Sequence, residues 1–472
     1  MCGFIFTYTN KFYSDSELEL ANQFIRYRGP TASHSLVIPT HANMHVTLLH
    51  NLLDISGKTI VQPLSKDGTH ILFNGEIYNH AALHDANSDT ETLLNLYREG
   101  DDAFKAKLDG EFVILAYDEN KNTLDILTDP FLTKPLYFGR SDNPSEFACA
   151  SYPSALLSLG FSHISDAQPN THYQIRLDKH HIQIHERHPV HTFHVAQTST
   201  HLDTWCEAFI EAVRKRAMHG GHQPMIALSS GYDSGCVALA MQLLNIKFNA
   251  YTLAAGENLS VLQDRFAFCR DVLDQQFFID PISKKEVAAL RNEAALRIEN
   301  LQYHHRDGDG YLQMLSDPGA IGSYIVAQRA TEHGEIVNLS GSGGDEIYSD
   351  YGYQGQKFAS HSEFGGQFPD AIEDYFPWKK FYGDSQRSYL MKEEFVFGSF
   401  GIESRYPFLD TSVVGEFLKL SPELKNAHYK APLHYFMRRH GFPFEENAKR
   451  GFAIRKAPLG RRIKQSLKRF LT

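Results

Sequence analysis

The stretch from Pro224 to Leu253 constrains this chain most. Pro224-Met225-Ile226-Ala227-Leu228 is an apolar run of strand length, and Ser229 to Gly235 is a turn of small and hydroxyl residues. An apolar helical segment then runs to about Leu244, and Phe248-Asn249-Ala250-Tyr251-Thr252-Leu253 is a second apolar run. Strand, helix, strand in that order is a crossover, which makes the two strands parallel partners in a sheet covered by helices. The second half of the chain is therefore expected to be a doubly wound parallel α/β domain with additional helices, entered through a helix around 203–217.

The turn Ser229-Ser230-Gly231-Tyr232-Asp233-Ser234-Gly235 opens backbone N–H groups at a helix N-terminus, an arrangement that attracts phosphate. It lacks the lysine of a GxxxxGK[ST] loop, so γ-phosphate transfer is not its chemistry. It resembles instead the SGGxDS loop of N-type ATP pyrophosphatases, with Ser230 in place of a glycine. A second Gly/Asp loop, Leu339-Ser340-Gly341-Ser342-Gly343-Gly344-Asp345-Glu346, follows the strand expected at Glu335-Ile336-Val337-Asn338. Strand ends of such sheets bind ligands. ATP is thus expected on Leu228, Ser229, Gly231, Asp233, Ser234, Ser340, Gly341 and Gly343, with Mg²⁺ on Asp233 and Asp345.

The first 190 residues follow a different pattern. Short apolar runs (Gly3–Phe6, Val46–Leu49, Ile71–Phe73, Phe112–Tyr117, Leu124–Leu127) are separated by Gly, Pro, Asn and Asp, with helical periodicity around Ser16–Phe24 and Asp89–Arg98. This predicts an α+β unit of two packed antiparallel sheets with helices outside. Residues 189–202 are polar and weakly patterned, which places a domain boundary near 195: one domain over 1–194 and another over 195–472.

Cys2 stands directly behind Met1. Once Met1 is removed, its thiol and its own α-amine form a nucleophile and a base in one residue. The other cysteines, Cys149, Cys206, Cys236 and Cys269, show no paired spacing, so neither a disulfide framework nor a structural zinc site is expected. A net charge of −10 argues against nucleic acid or an anionic membrane surface as the main partner. No run approaches the ~18–20 apolar residues of a spanning helix. A soluble cytoplasmic protein with small-molecule substrates is expected. The histidine pairs His180-His181, His219 with His222, and His304-His305 lack companion ligands at metal spacing and read as surface or loop residues. The basic ending Arg461–Lys468 reads as a helix end.

The motifs then line up, in order, with one family. Cys2-Gly3, Arg26-Tyr27-Arg28-Gly29-Pro30, Phe73-Asn74-Gly75-Glu76-Ile77-Tyr78-Asn79, Ser88-Asp89-Thr90-Glu91, Leu108-Asp109-Gly110-Glu111-Phe112 and Asp129 through Tyr137 lie in the first domain. The two loops, Glu403-Ser404-Arg405-Tyr406-Pro407-Phe408-Leu409-Asp410, Tyr429-Lys430 and Lys449-Arg450-Gly451-Phe452 lie in the second. The chain resembles the asparagine synthetase family, a class II glutamine amidotransferase domain of Ntn-hydrolase type fused to an ATP-dependent synthetase domain.

The resemblance implies that Cys2 attacks the glutamine amide while Asn74 and the Gly75 N–H stabilise the oxyanion, and that Glu76 and Asp89 bind the substrate ammonium. It implies that a substrate carboxylate is adenylated by MgATP, that Lys449 and Lys430 offset developing negative charge, and that an amine completes the amide. A homodimer is compatible with it. Asn74-Gly75 also reads as a hairpin turn and Ser88-Asp89-Thr90 as a helix cap.

Departures are visible. Leu52 stands where the family has the arginine that grips the glutamine α-carboxylate, leaving Arg26 or Arg28 to replace it. Thr31 and Thr133 replace an aspartate and a glycine, and Ser342 a carboxylate near the acyl group, for which Glu403 is the substitute the sequence offers. The expected function is ATP-dependent amide formation on an unidentified carboxylate with nitrogen from glutamine. The alternatives are a synthetase that takes a non-glutamine amine, with a structural first domain, and a non-catalytic homologue.

Overall fold

The computed structural model describes residues 2–40, 43–55, 59–100, 102–187, 189–304, 311–449 and 454. Arg450, Gly451, Phe452 and the basic segment 461–468 lie outside them.

Two six-stranded antiparallel sheets form the first half. One runs His163–Asp166, Tyr137–Arg140, Phe147–Ala150, Gly3–Thr9, His45–Leu52, Ala32–Pro39; the other runs Gln183–Arg187, His172–Arg176, Thr123–Thr128, Gly110–Asp118, Thr69–Ile77, Leu64–Lys66. Alternate residues of the facing strands interdigitate: Phe4, Phe6 and Tyr8 from the first sheet share a core with Leu72, Val113, Leu115 and Tyr117 from the second. The outer face of the second sheet is covered by the helix Asp89–Glu99, whose Leu93 and Leu94 pack on Phe73, Phe112 and Ile114. That sandwich sets the strand beginning at Gly3 opposite the strand carrying Asn74, so the chain's second residue meets residue 74.

The second half holds a five-stranded parallel sheet in the order Leu273–Ile279, Phe248–Leu253, Met225–Ala227, Val337–Leu339, Glu403–Arg405. Chain order runs outward from Met225–Ala227 in one direction and then restarts at Val337–Leu339 in the other. The reversal falls between those two neighbours, and the crevice at their carboxyl ends is where such a sheet takes a ligand. Both glycine-rich loops leave from these strand ends. The helices Asp203–Met218 and Tyr232–Leu243 cover one face, burying Trp205, Phe209, Val237 and Leu239.

The two halves meet through buried charge. Arg28 reaches Glu394 at 2.7 Å and Lys134 reaches the same carboxylate at 3.0 Å. Arg216 joins Glu111 at 2.6 Å and Asp410 at 2.7 Å. Motif residues such as Glu111 and Asp410 therefore hold the domain junction. Ion pairs this buried contribute geometry more than net stability, because desolvation offsets much of their attraction. Among the described residues no helix is long and apolar enough to cross a membrane.

Candidate functional site

The first site is built at the start of the strand Gly3–Thr9. The Cys2 backbone nitrogen donates to Asn74 Oδ1 at 2.8 Å, which fixes the amide orientation and turns Nδ2 the other way. Asn74 Nδ2 is buried and has no partner. A donor stranded beside a thiol is what an oxyanion requires, because its hydrogen bond is made only when negative charge forms. Gly75 follows with φ +131°, and a Cβ there would lie 1.8 Å from the Glu111 carbonyl oxygen, so only glycine fits. The pair sits in mid-strand and makes no hairpin turn.

Burial pushes the Cys2 thiol up to about 11, against a hydrogen bond from the Leu53 backbone and with the charges of Glu403 and Glu76 adding to the rise. A thiol so protonated needs a base at hand. The narrow pocket in front of it, about 30 Å³, is lined by Leu52, Leu53, Asp54, Gln62, Glu76 and Asp89 among others. Asp89 faces it from the helix that Ser88 caps through the Glu91 N–H at 3.1 Å, so capping and site-building coexist there.

Glu76 is held from the second half of the chain: His219 Nε2 lies 2.6 Å from its Oε2 and Arg405 3.5 Å from its Oε1. Burial opposes a proton on His219, but the Glu76 hydrogen bond and charge, with the Asp89 charge, together outweigh it and raise the imidazole pKa. The expectation that His219 is a plain surface or loop residue is therefore corrected. With Glu76 and Asp89 it forms a group whose ligand atoms lie within 4.8 Å of one another. Two further expectations fail. Arg26 is exposed and bonded to Tyr27, and Arg28 is locked between the Cys2 carbonyl (2.8 Å) and Glu394, so neither lines this pocket. Glu403 does not reach the second loop: it lies fully buried beside Arg405 at 2.7 Å, near Cys2. Burial works against its charge, and the positive charges around it, Arg405 and Lys134 among them, overcome it, holding the carboxyl well below the usual range.

The second site is a cavity of about 480 Å³ at the strand reversal. Ser229, Asp233, Ser234, Ser340, Gly341, Ser342, Asp345 and Lys449 line it, whereas Leu228 lies in the core and Gly231 and Gly343 shape the turns behind. The loops nearly touch: a Cβ on Gly344 would sit 2.3 Å from Asp233 Oδ1. Lys430, in the left-handed region at φ 50°, drives its ammonium between the two acids, 2.6 Å from Asp233 and 3.0 Å from Asp345. Lys449 bonds the other Asp345 oxygen. Burial disfavours charge on Asp345, yet Lys430 and Lys449 keep it ionised far below its ordinary value. Two hard carboxylates already sharing one cation fit a divalent ion bound with phosphate.

Several functional side chains were not legible in the sequence. Arg265 is wholly buried behind the first loop and donates to the carbonyls of Ser229 (2.5 Å) and Gly231 (2.8 Å), which leaves the loop's N–H side toward the cavity. Gly235 is required there, since a Cβ would lie 2.7 Å from that guanidinium. Ser230 uses its hydroxyl and its N–H to hold Glu257, which accounts for the departure from glycine. Glu393, from the helix Asp384–Gly398, accepts from Ser340 and Ser342 at 2.7 Å each. Thr133 braces Asp129 through N–H and hydroxyl bonds of 2.9 and 2.6 Å.

Residues 1–206 match the glutamine amidotransferase domain family, and residues 204–398 match the asparagine synthase family. The chain joins a glutamine amidotransferase domain to an asparagine synthase domain. A putative glutamine-hydrolysing asparagine synthetase of Methanocaldococcus jannaschii is 25% identical over 413 residues, covering 81% of this chain and 70% of that protein. A probable asparagine synthetase of Schizosaccharomyces pombe is 26% identical over 437 residues, covering 88% and 74%. Asparagine synthetase B of Escherichia coli is 34% identical over 154 residues, 30% of this chain and 26% of that one. The amidotransferase match spans Cys2, Asn74 and Gly75, and the synthase match spans both glycine-rich loops.

Proposed function

We propose that this chain makes an amide by adenylating a substrate carboxylate, with nitrogen released from glutamine at Cys2, its work divided between two domains that separate near residue 195. The observation that carries the reading is the convergence of Asp233, Asp345, Lys430 and Lys449 at the strand reversal, 2.6–3.0 Å apart through Lys430. Such a cluster places cations and hard oxygens where a triphosphate lies against the Ser229–Ser234 loop.

In the amidotransferase domain, Cys2 Sγ attacks the side-chain amide carbon of glutamine. The thiol proton goes to the Cys2 α-amine exposed by removal of Met1, and from there to the departing ammonia. Asn74 Nδ2 and the Gly75 N–H receive the oxyanion. Water then releases glutamate from the thioester. His219 neutralises Glu76, which leaves Asp89 to meet the ammonium of glutamine.

In the synthase domain, a carboxylate oxygen attacks the α-phosphorus of ATP, pyrophosphate leaves along Lys449 and Lys430, and ammonia displaces AMP from the acyl carbon. Mg²⁺, held by Asp233 and Asp345, would supply neutralising charge to the phosphates. The acceptor carboxylate is open. The five cysteines are all free and buried, which suits a reducing cytoplasm.

Turnover with ATP, ammonium chloride and a panel of carboxylic acids should yield AMP and pyrophosphate in equal amounts. ADP with orthophosphate would overturn the scheme.

Burial first, and the Glu76 charge second, push the Asp89 carboxyl up to about 7 from 3.8. The native chain keeps a proton that the unfolded chain gives up, so this group's contribution to stability falls as pH rises from 3.8 to about 7. Bound ammonium needs the ionised form. The KM for glutamine should therefore drop as pH climbs through about 7, and Asp89→Asn should raise KM and flatten that dependence. A KM profile unchanged by the substitution would remove Asp89 from the ammonium site.

A further inference from the structure

The carboxylate missing at Ser342 has a structural replacement, and it comes from a different element. Glu393 sits on the helix Asp384–Gly398 and lines the synthase cavity beside Ser340 and Ser342. Three neutral donors converge on it: Ser340 Oγ at 2.7 Å and Ser342 Oγ at 2.7 Å on Oε2, and Asn338 Nδ2 at 2.9 Å on Oε1. The Ser342 N–H donates to Ser340 Oγ at 3.0 Å, so the first hydroxyl is fixed in place. Ser342 Oγ donates to Glu393 and lines the cavity, where a hydroxyl oxygen can also accept.

The other acids of this cavity are committed elsewhere. Asp233 and Asp345 lie on Lys430, Asp317 on Lys392 at 3.1 Å, and Asp384 on Lys379 at 3.5 Å. Glu257 is tied to the phosphate loop through Ser230, and Glu346 is bonded to Tyr351. Among the described acids of the cavity lining, Glu393 alone faces the second loop from another element with neutral donors and no ammonium in contact. Burial, followed by the neighbouring Glu394 charge, raises its pKa, against the pull of its serine bonds.

Resting on the amide-forming reading above, we propose that Glu393 takes the proton released by the attacking amine, with Ser342 as the relay. The nitrogen forms its bond to the acyl carbon and gives a proton to Ser342 Oγ. The Ser342 hydroxyl proton moves to Glu393 Oε2, and the acyl carbon–oxygen bond to AMP breaks with AMP leaving as the anion. Glu393 ends as the neutral acid and returns its proton to solvent through the cavity. The task of one family carboxylate is thus divided between a short hydroxyl on the loop and a longer acid on the helix.

The test separates the two half-reactions, with ammonium chloride as the nitrogen source so that Cys2 is not involved. ATP–pyrophosphate isotope exchange reads adenylation, with L-aspartate as the first acid and, should it give none, the acid that releases pyrophosphate in the wild-type screen. Glu393→Gln keeps shape and most hydrogen bonds. It should leave exchange within about threefold and lower amide formation by ~100-fold or more, the scale of a lost general base. Glu393→Asp should recover part of that loss, and Ser342→Ala, which cuts the relay, should cost a comparable factor. Amide formation down less than tenfold in Glu393→Gln, or exchange falling in step with it, overturns the assignment. Wild-type protein that exchanges with no acid at all would sink the adenylation reading and this assignment together, a result recognisable because it precedes any variant.

Discussion

Cys2→Ala should abolish glutamine-driven amide synthesis, by ~10³-fold or more, and leave ammonium-driven synthesis within about twofold. The asymmetry follows from where the residue sits. Its sulfur is the only thiol among the described residues lining the amidotransferase pocket, while the synthase cavity lies beyond a wall of buried ion pairs. Small change in the ammonium rate is expected because alanine keeps the backbone N–H that bonds Asn74 Oδ1. Glutamate release from glutamine alone gives the same answer without any carboxylate acceptor. Wild-type protein that releases no glutamate would move the nitrogen source elsewhere, and the pocket contains the reason to look: its described lining carries Asp54, Glu76 and Asp89 and neither arginine nor lysine. Leu52 in that lining offers a bound α-carboxylate no charge-assisted bidentate contact, an interaction worth ~1.5–3 kcal/mol. A high KM for glutamine is the expected consequence.

What the sequence carried and what it did not divides along a physical line. Local patterns were legible: the strand expected over 248–253 is the strand Phe248–Leu253, and the helix expected over Asp89–Arg98 spans Asp89–Glu99. The loop after Leu228 and the loop after Leu339 were legible as small-residue turns at strand ends, and residues of both line one cavity. Side chains that act across the fold were not. Lys392-Glu393-Glu394 reads as a solvated charge run on a helix, yet Glu393 turns to the synthase loops and Glu394 to Arg28. Nothing local distinguishes them from surface acids. His219 follows the helix Asp203–Met218 and finds Glu76 only because the domains pack; residues 143 apart have no shared sequence signal. Glu403 was misplaced for the same reason. Its strand is the edge of the parallel sheet next to the amidotransferase domain, so its side chain serves the junction near Cys2.

The second large effect concerns that junction. Glu394→Ala should destabilise the protein by ~3–5 kcal/mol, because it strips the shared partner from two cations that water cannot reach. Arg28 and Lys134 both have side chains 0% exposed, and Glu394 binds them at 2.7 and 3.0 Å while also accepting from Tyr406 at 2.8 Å. Lys134 keeps Glu111 at 3.8 Å, the Ser404 carbonyl and the face of Tyr406, and Arg28 keeps the Glu394 carbonyl, the Cys2 carbonyl and the Tyr152 hydroxyl. The urea midpoint should therefore fall, and replacing Arg28, Lys134 and Glu394 together by methionine should recover much of the loss, since no unpaired charge then remains. A functional signature accompanies it. Arg28 Nε holds the Cys2 carbonyl at 2.8 Å, so a loosened Arg28 releases the nucleophile from its place beside Asn74. Glutamine-driven synthesis should drop further than ammonium-driven synthesis in Glu394→Ala at temperatures where both variants remain folded. If stability falls by less than about 1 kcal/mol, Glu394 is not the electrostatic keystone of the junction, and if the two nitrogen sources lose rate equally, it is not the link from the synthase helix to Cys2.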